Sequence, residues 1–205
     1  MKIAALGLLC ISLVGLAAEP QALFDGKTFN GWDGDTNKTW RIRDGMIVGG
    51  SLETQVPRNE FLATTRSFTN FVLRVKFKLE GTEGFVNSGV QFRSQRIPND
   101  AEMIGYQADI GDGWWGALYD ESRRNTVMAK PEEGVGQKAA KKGEWNDYEI
   151  RCEGPRIVLK LNGVTTVDYT EADPAIPRSG RIGVQVHGGG KTLVSFKDIT
   201  LQPLP

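Results

Sequence analysis

The one histidine of this 205-residue chain, His187, stands two positions after Gln185 and directly before Gly188-Gly189-Gly190. An imidazole, with an ordinary pKa of about 6.5, exchanges protons near neutral pH, and glycines beside it let a ligand approach the backbone closely. The same i, i+2 spacing recurs as Gln91 with Arg93 and as Gln107 with Asp109. In an extended chain that spacing puts both members of a pair on one face. Carboxamide, guanidinium, carboxylate and imidazole groups suit adjacent sugar hydroxyls, which both donate and accept; a merely solvated strand face favours Lys, Glu and Thr. The run Asp112 to Glu121 follows directly and contains Trp114, Trp115 and Tyr119. Aromatic rings offer a flat apolar surface to the C–H side of a sugar, so Trp115 and Tyr119 are candidate contacts, with one of the two tryptophans turned into the core. Glu121 adds a carboxylate at the end of the run. The candidate catalytic groups are therefore His187, Asp109 and Arg93, and the candidate sugar contacts are Gln91, Gln107, Gln185, Trp115, Tyr119 and Glu121.

Other chemistries find less support. Without a second histidine or an EF-hand spacing of acids, no metal site is specified, although one built from Asp109, Glu121 and His187 stays open. No cofactor is required, and no Gly-x-Ser-x-Gly elbow, P-loop or dinucleotide fingerprint occurs. Cys152 falls on the same strand face as Tyr148 and Ile150 and reads as a small buried hydrophobe. Trp32, Trp40 and Trp145 read as structural.

The elements that must carry these residues are strands. Apolar residues alternate with polar ones through Phe71–Leu79, where Arg74, Lys76 and Lys78 face away from the apolar side. The same pattern puts Val90 and Phe92 inside with Gln91 and Arg93 outside, and Ile182, Val184 and Val186 inside with Gln185 and His187 outside. Asn162-Gly163 between two such runs predicts a two-residue hairpin turn, because both positions need positive φ. No apolar period of 3.6 persists, and 25 glycines fit turns better than helices. The expectation is an all-β domain: a two-sheet antiparallel jelly-roll sandwich with a buried inner side and a wet outer side. Residues 120–143, rich in Gly, Lys and Glu, read as a long loop.

Lys2, the apolar run Ile3–Ala18 and the following Glu19-Pro20 read as a secretory signal covering residues 1–18, too short and too glycine-interrupted for a membrane span. Residues 19–205 then form one domain, secreted or periplasmic, without a membrane partner. Leu9 before Cys10 argues against lipid attachment, and Cys152 would be left without a disulfide partner. The 25 basic and 25 acidic residues balance, and the basic clusters at Arg123-Arg124 and Lys138–Lys142 are short, so nucleic acid is not implied.

Seven blocks in order carry a resemblance: Leu23-Phe24-Asp25-Gly26-Lys27 with Gly31-Trp32, Trp40 to Gly45, Asn87 to Arg93, Gly105 to Ile110, Gly116 to Asp120, Trp145-Asn146 with Leu161-Asn162-Gly163, and Gly183 to Gly188 with Val194 to Ile199. Together they resemble the bacterial 3-keto-disaccharide hydrolase family over essentially the whole chain after the leader. The resemblance implies a concanavalin-like jelly roll and a secreted enzyme acting on glycosides whose sugar carries a ketone at C3. Such a substrate needs a base over C2, donors at the carbonyl oxygen and an acid at the glycosidic oxygen. His187 or Asp109 would serve as base, Arg93 and Gln91 as donors, and Tyr119 or Glu121 as acid or sugar contact. The competing expectation is a carbohydrate-binding module without catalysis, which would manage with aromatics and amides alone.

Overall fold

The computed structural model describes residues 18–205; the expected leader and Cys10 lie almost wholly outside them. The strands in chain order are β1 (Gln21–Ala22), β2 (Trp32–Asp33), β3 (Trp40–Arg43), β4 (Met46–Gly50), β5 (Glu60–Phe68), β6 (Phe71–Gly84), β7 (Asn87–Arg96), β8 (Met103–Gly111), β9 (Leu118–Glu121), β10 (Thr126–Ala129), β11 (Asn146–Glu153), β12 (Arg156–Leu161), β13 (Val164–Thr170), β14 (Gly180–Val186) and β15 (Gly190–Pro203). One short helix, α1 (Val135–Ala139), precedes β11. An eight-stranded sheet runs β13-β12-β11-β6-β15-β4-β3, with β1 also on β15, and a seven-stranded sheet runs β10-β9-β8-β7-β14-β5-β2. Every strand pairing given by the ladders is antiparallel, as a jelly-roll sandwich requires.

Alternation does what hydrophobic burial demands. Phe71, Leu73, Val75, Phe77 and Leu79 of β6 point between the sheets and meet Val90, Phe92, Ile182, Val184 and Val186 from the other layer. At about 25 cal/mol per Å² of apolar surface removed from water, each such side chain contributes roughly 1.5–3 kcal/mol. On the outer side of the eight-stranded sheet the charges pair across strands, Arg74 with Glu149 at 3.0 Å and Lys76 with Asp147 at 2.9 Å. Asn162 (φ 49°) and Gly163 (φ 82°) close the β12–β13 hairpin as the turn chemistry dictates. Cys152 is fully buried, and burial pushes its thiol up to about 12, so it packs as a hydrophobe.

The seven-stranded sheet departs from the simple pattern, because its outer side is not wet. Gln91, Gln107, Asp109 and Gln185 are all buried, and a second small apolar cluster of Phe61, Ala63 and Met103 covers part of the same side. Residues 120–143 are also more ordered in kind than a long loop, since they contain β10 and α1.

Candidate active site

Three neighbouring strands and two turns build one cavity of about 200 Å³, lined by Phe85, Asn87, Gln107, Asp109, Trp114, Tyr119, Glu121 and His187. His187 follows β14, Gln107 and Asp109 come from β8, and Tyr119 and Glu121 come from β9. The ladder puts Gln107 opposite Tyr119 and Gly89 opposite Asp109, so these outward positions lie side by side. Gly89 is there for close approach: a Cβ on it would fall 2.4 Å from Cδ of Gln107, whose side chain lies flat across the glycine.

Asp109 is held from both layers. Its backbone N–H donates to Ala117 O (3.0 Å), and its carbonyl accepts from Gly116 N–H (3.2 Å) and from the Tyr148 hydroxyl of the opposite sheet (3.1 Å). Behind its carboxyl runs a polarised chain of buried groups. Ser94 Oγ donates to Gln91 Oε1 (2.6 Å), Gln91 Nε2 donates to Gln107 Oε1 (3.2 Å), and Gln107 Nε2 donates to Asp109 Oδ1 (2.7 Å). The other oxygen, Oδ2, is buried without a hydrogen-bond partner in the protein. Burial raises the Asp109 carboxyl well above the usual carboxylate range; the Gln107 hydrogen bond opposes this, and the charge of Glu121 adds to it. With Oδ1 already accepting from Gln107, Oδ2 is the oxygen that carries the proton whenever this carboxyl is protonated.

Glu121 is raised to about 7, chiefly by burial and then by the negative charge of Glu102. It is poised to give or take a proton at neutral pH. His187 Nδ1 lies 2.6 Å from Gly188 O. A carbonyl oxygen only accepts, so Nδ1 carries a hydrogen, and Nε2 is the nitrogen that can offer a lone pair. The Phe85 ring stands edge-on to the imidazole at 4.6 Å, and Trp114 stands edge-on to Tyr119 at 6.0 Å. The cavity therefore combines an imidazole, a carboxyl raised well above the usual carboxylate range, a second carboxyl near 7 and aromatic walls, with no lysine or arginine among its lining residues. Among the described residues no group of three or more His, Cys, Asp or Glu side chains is arranged to hold a metal ion.

Asp109, Gln107, Tyr119, Glu121 and His187 thus meet in one cavity, whereas four of the expected residues stand elsewhere. Arg93 is the main correction. The β7 ladder shifts register between Phe92 and Gln95, and Arg93 itself has φ 48°, which ends the alternation and turns its side chain away from the cavity. Its guanidinium instead donates to Thr69 O (2.7 and 2.9 Å), in the β5–β6 connection between the two sheets, and to Gly154 O (2.8 Å), in the β11–β12 turn of the eight-stranded sheet. Gln91 lies one layer beneath the cavity, in the chain behind Asp109. Gln185 is buried outside it and makes no side-chain hydrogen bond within the protein. Trp115 belongs to the core, stacked on Phe77 at 6.5 Å with Nε1 donating to Asp112 (2.9 Å). Its neighbour Trp114 is the one that lines the cavity. Phe85 and Asn87, at the β6–β7 connection, escaped the sequence reading; the exposed aromatic at a Gly-flanked turn was the available signal for the first.

A family model for the 3-keto-alpha-glucoside-1,2-lyase-like domain matches residues 19–202. The 3-keto-disaccharide hydrolase of Bacteroides thetaiotaomicron is 30% identical over 168 residues, covering 72% of this chain; the chain spans 57% of that relative's length. A solved protein of Parabacteroides distasonis, proposed to be a glycosyl hydrolase, superposes with a TM-score of 0.67 at 24% identity, over 91% of this chain and 94% of its own. A carbohydrate-binding module from Bacillus subtilis superposes with a TM-score of 0.64 at 18% identity, over 84% of this chain and 95% of its own. Both structures share the sandwich.

Proposed function

The chain belongs to the 3-keto-alpha-glucoside-1,2-lyase-like family, and on that premise we propose that it is an exported enzyme cleaving glycosides already oxidised to a ketone at C3 of the sugar. The observation that carries this reading is the meeting of His187, Asp109 and Glu121 in one cavity, with both carboxyls raised by burial. Export rests on the leader read in residues 1–18.

The ketone acidifies the C2 proton, which His187 Nε2 removes. The electrons of that C–H bond form the C2–C3 double bond, and negative charge develops on the C3 oxygen. In its protonated form, and with the side chain turned so that the covered Oδ2 reaches the cavity, Asp109 donates a hydrogen bond to that oxygen; a donor of this kind in a dry site is worth roughly 10²–10³ in rate. This replaces the role first given to Arg93 and Gln91: a buried carboxylic acid serves where a cation was expected. The enolate then reforms the ketone, a C1–C2 double bond appears, and the C1–O bond breaks as protonated Glu121 passes its proton to the departing oxygen. Water adding across C1–C2 completes a net hydrolysis.

Paired 3-keto and ordinary glucosides test the proposal. Cleavage of the keto form alone, lost by about 10²–10⁴-fold in His187→Ala, is the expected result. Saturable binding of both sugars without cleavage of either would instead identify a carbohydrate-binding module, the reading that the aromatic rim of Phe85 and Trp114 would also serve.

A further inference from the structure

We infer that Asn59, in the connection between β4 and β5 and outside the cavity, is a positioning residue for His187: it fixes the turn whose carbonyl decides which nitrogen of the imidazole carries the hydrogen. The inference rests on the glycoside-cleaving reading above, in which the other nitrogen is the base.

Two peptide units follow His187, and residues 56–59 hold both. In the first, the Gly188 N–H donates to Asn59 Oδ1 (3.0 Å). In the second, the Gly188 carbonyl accepts from His187 Nδ1 (2.6 Å) while the Gly189 N–H donates to Val56 O (2.8 Å). An amide that donates at its nitrogen accepts better at its oxygen, so the Val56 contact strengthens the bond to the imidazole. The Val56 N–H returns the tie by donating to Gly190 O (2.9 Å). On the cavity side the His187 N–H donates to Asn87 O (3.2 Å), which anchors the backbone of the histidine but leaves its ring free to turn.

Among these bonds only two use a side chain, the imidazole itself and Asn59. Asn59 is therefore the one outside partner whose removal leaves every main-chain contact in place. Without its oxygen the Gly188 amide turns toward another acceptor, the Gly188 carbonyl turns with it, and Nδ1 loses the partner that keeps a hydrogen there. The neutral ring then also populates the form with its hydrogen on Nε2, which has no lone pair to take a proton from C2. The sugar contacts at Tyr119 and Trp114 are untouched, so the effect falls on kcat and spares KM.

His187 is the one histidine of the chain, which makes the test direct. Histidine labelled with nitrogen-15 in the ring is read by NMR at a pH where the ring is neutral. Wild type should show its hydrogen on Nδ1 and a bare Nε2, and Asn59→Ala a mixture of the two forms. On a 3-keto-glucoside kcat of Asn59→Ala, per folded molecule, should fall by about tenfold with KM within about twofold. Asn59→Asp keeps an oxygen at the same place and should retain the wild-type ring signals and most of the rate. Gln55→Ala, exposed in the same connection, should change neither. Identical ring signals in Asn59→Ala and wild type, or losses as large in Asn59→Asp as in Asn59→Ala, would overturn the role of Asn59. A wild-type ring with its hydrogen on Nε2 overturns it without any variant. A wild-type protein inactive on the 3-keto-glucoside overturns the glycoside-cleaving reading instead, and the ring signals still decide whether Asn59 holds the turn.

Discussion

Asp120 and Glu121 are neighbours on β9, yet alternation sends them to opposite sides of the sheet and into opposite electrostatic fates. Asp120 points inward with no exposure, and both Arg123 and Arg124 hold it. Arg124 continues to Glu171 at 2.8 Å, where the Tyr106 hydroxyl also donates. Burial works against charge on Glu171, but Arg124, Tyr106 and the Asp173 backbone outweigh it and bring the group to about 2. Glu121 faces outward into the cavity, meets Glu102 in place of a guanidinium, and rises to about 7. Burial alone therefore does not make a carboxyl reactive; burial without a counter-ion does. The paired acids close the edge of the sandwich, and the unpaired ones are left with protons to use.

That contrast is breakable, beginning with the largest expected effect. Asp109→Ala removes the neutral donor and should lower kcat by about 10²–10³-fold. Asp109→Asn keeps an N–H at the same place and should stay within about tenfold of wild type; equal losses for the two would mean that Asp109 acts as a base and the contrast is wrongly drawn. Glu121→Gln should cost about 10²-fold on sugar leaving groups and little on a nitrophenyl leaving group, which needs no acid. In the wild type, Glu121 must be protonated to act, so activity should fall as pH rises through about 7, and this limb should vanish from the nitrophenyl profile.

The paired side sharpens the comparison through stability. Asp120→Asn strands two guanidiniums that remain partly in water, so denaturant titration should show a loss of about 2 kcal/mol, with kcat per folded molecule nearly unchanged. The smallest effect has the opposite sign. Glu121 binds its proton more tightly in the folded chain than in the unfolded one, so its stabilising contribution is complete below about pH 4.5 and is lost as pH rises to about 7. Glu121→Gln should then be more stable than wild type by about 1 kcal/mol at pH 8, after allowance for its partial exposure, and should match it at pH 4.

The sandwich and most of the cavity could be read from period-two alternation, because a strand with one apolar side has only one way to face a core. His187, Asp109 and Gln107 followed from that rule, and Tyr119 and Glu121 from the aromatic run that follows directly on Asp109. Arg93 did not, since one residue at φ 48° in a register shift reverses the face, and nothing in Gln91-Phe92-Arg93-Ser94 announces the shift. The covered outer side was hidden for a related reason: which polar face is roofed depends on contacts remote in sequence, such as Gly188 lying so close to the Arg58 backbone that a Cβ would fall 2.6 Å from its Cα. Gly89 and Gly183, in mid-strand where a side chain would ordinarily pack, were the overlooked sign that something lies flat across that side. Between Trp114 and Trp115 the sequence offers no asymmetry; Phe77 on the opposite sheet decides which ring goes inward.

The glutamine chain behind Asp109 has a practical consequence. Gln91 and Gln107 hide their amide protons from solvent, so these should exchange slowly with deuterium and give persistent side-chain NMR signals. Those signals would report the protonation of Asp109 and the arrival of a sugar from inside the protein, with no label attached to either.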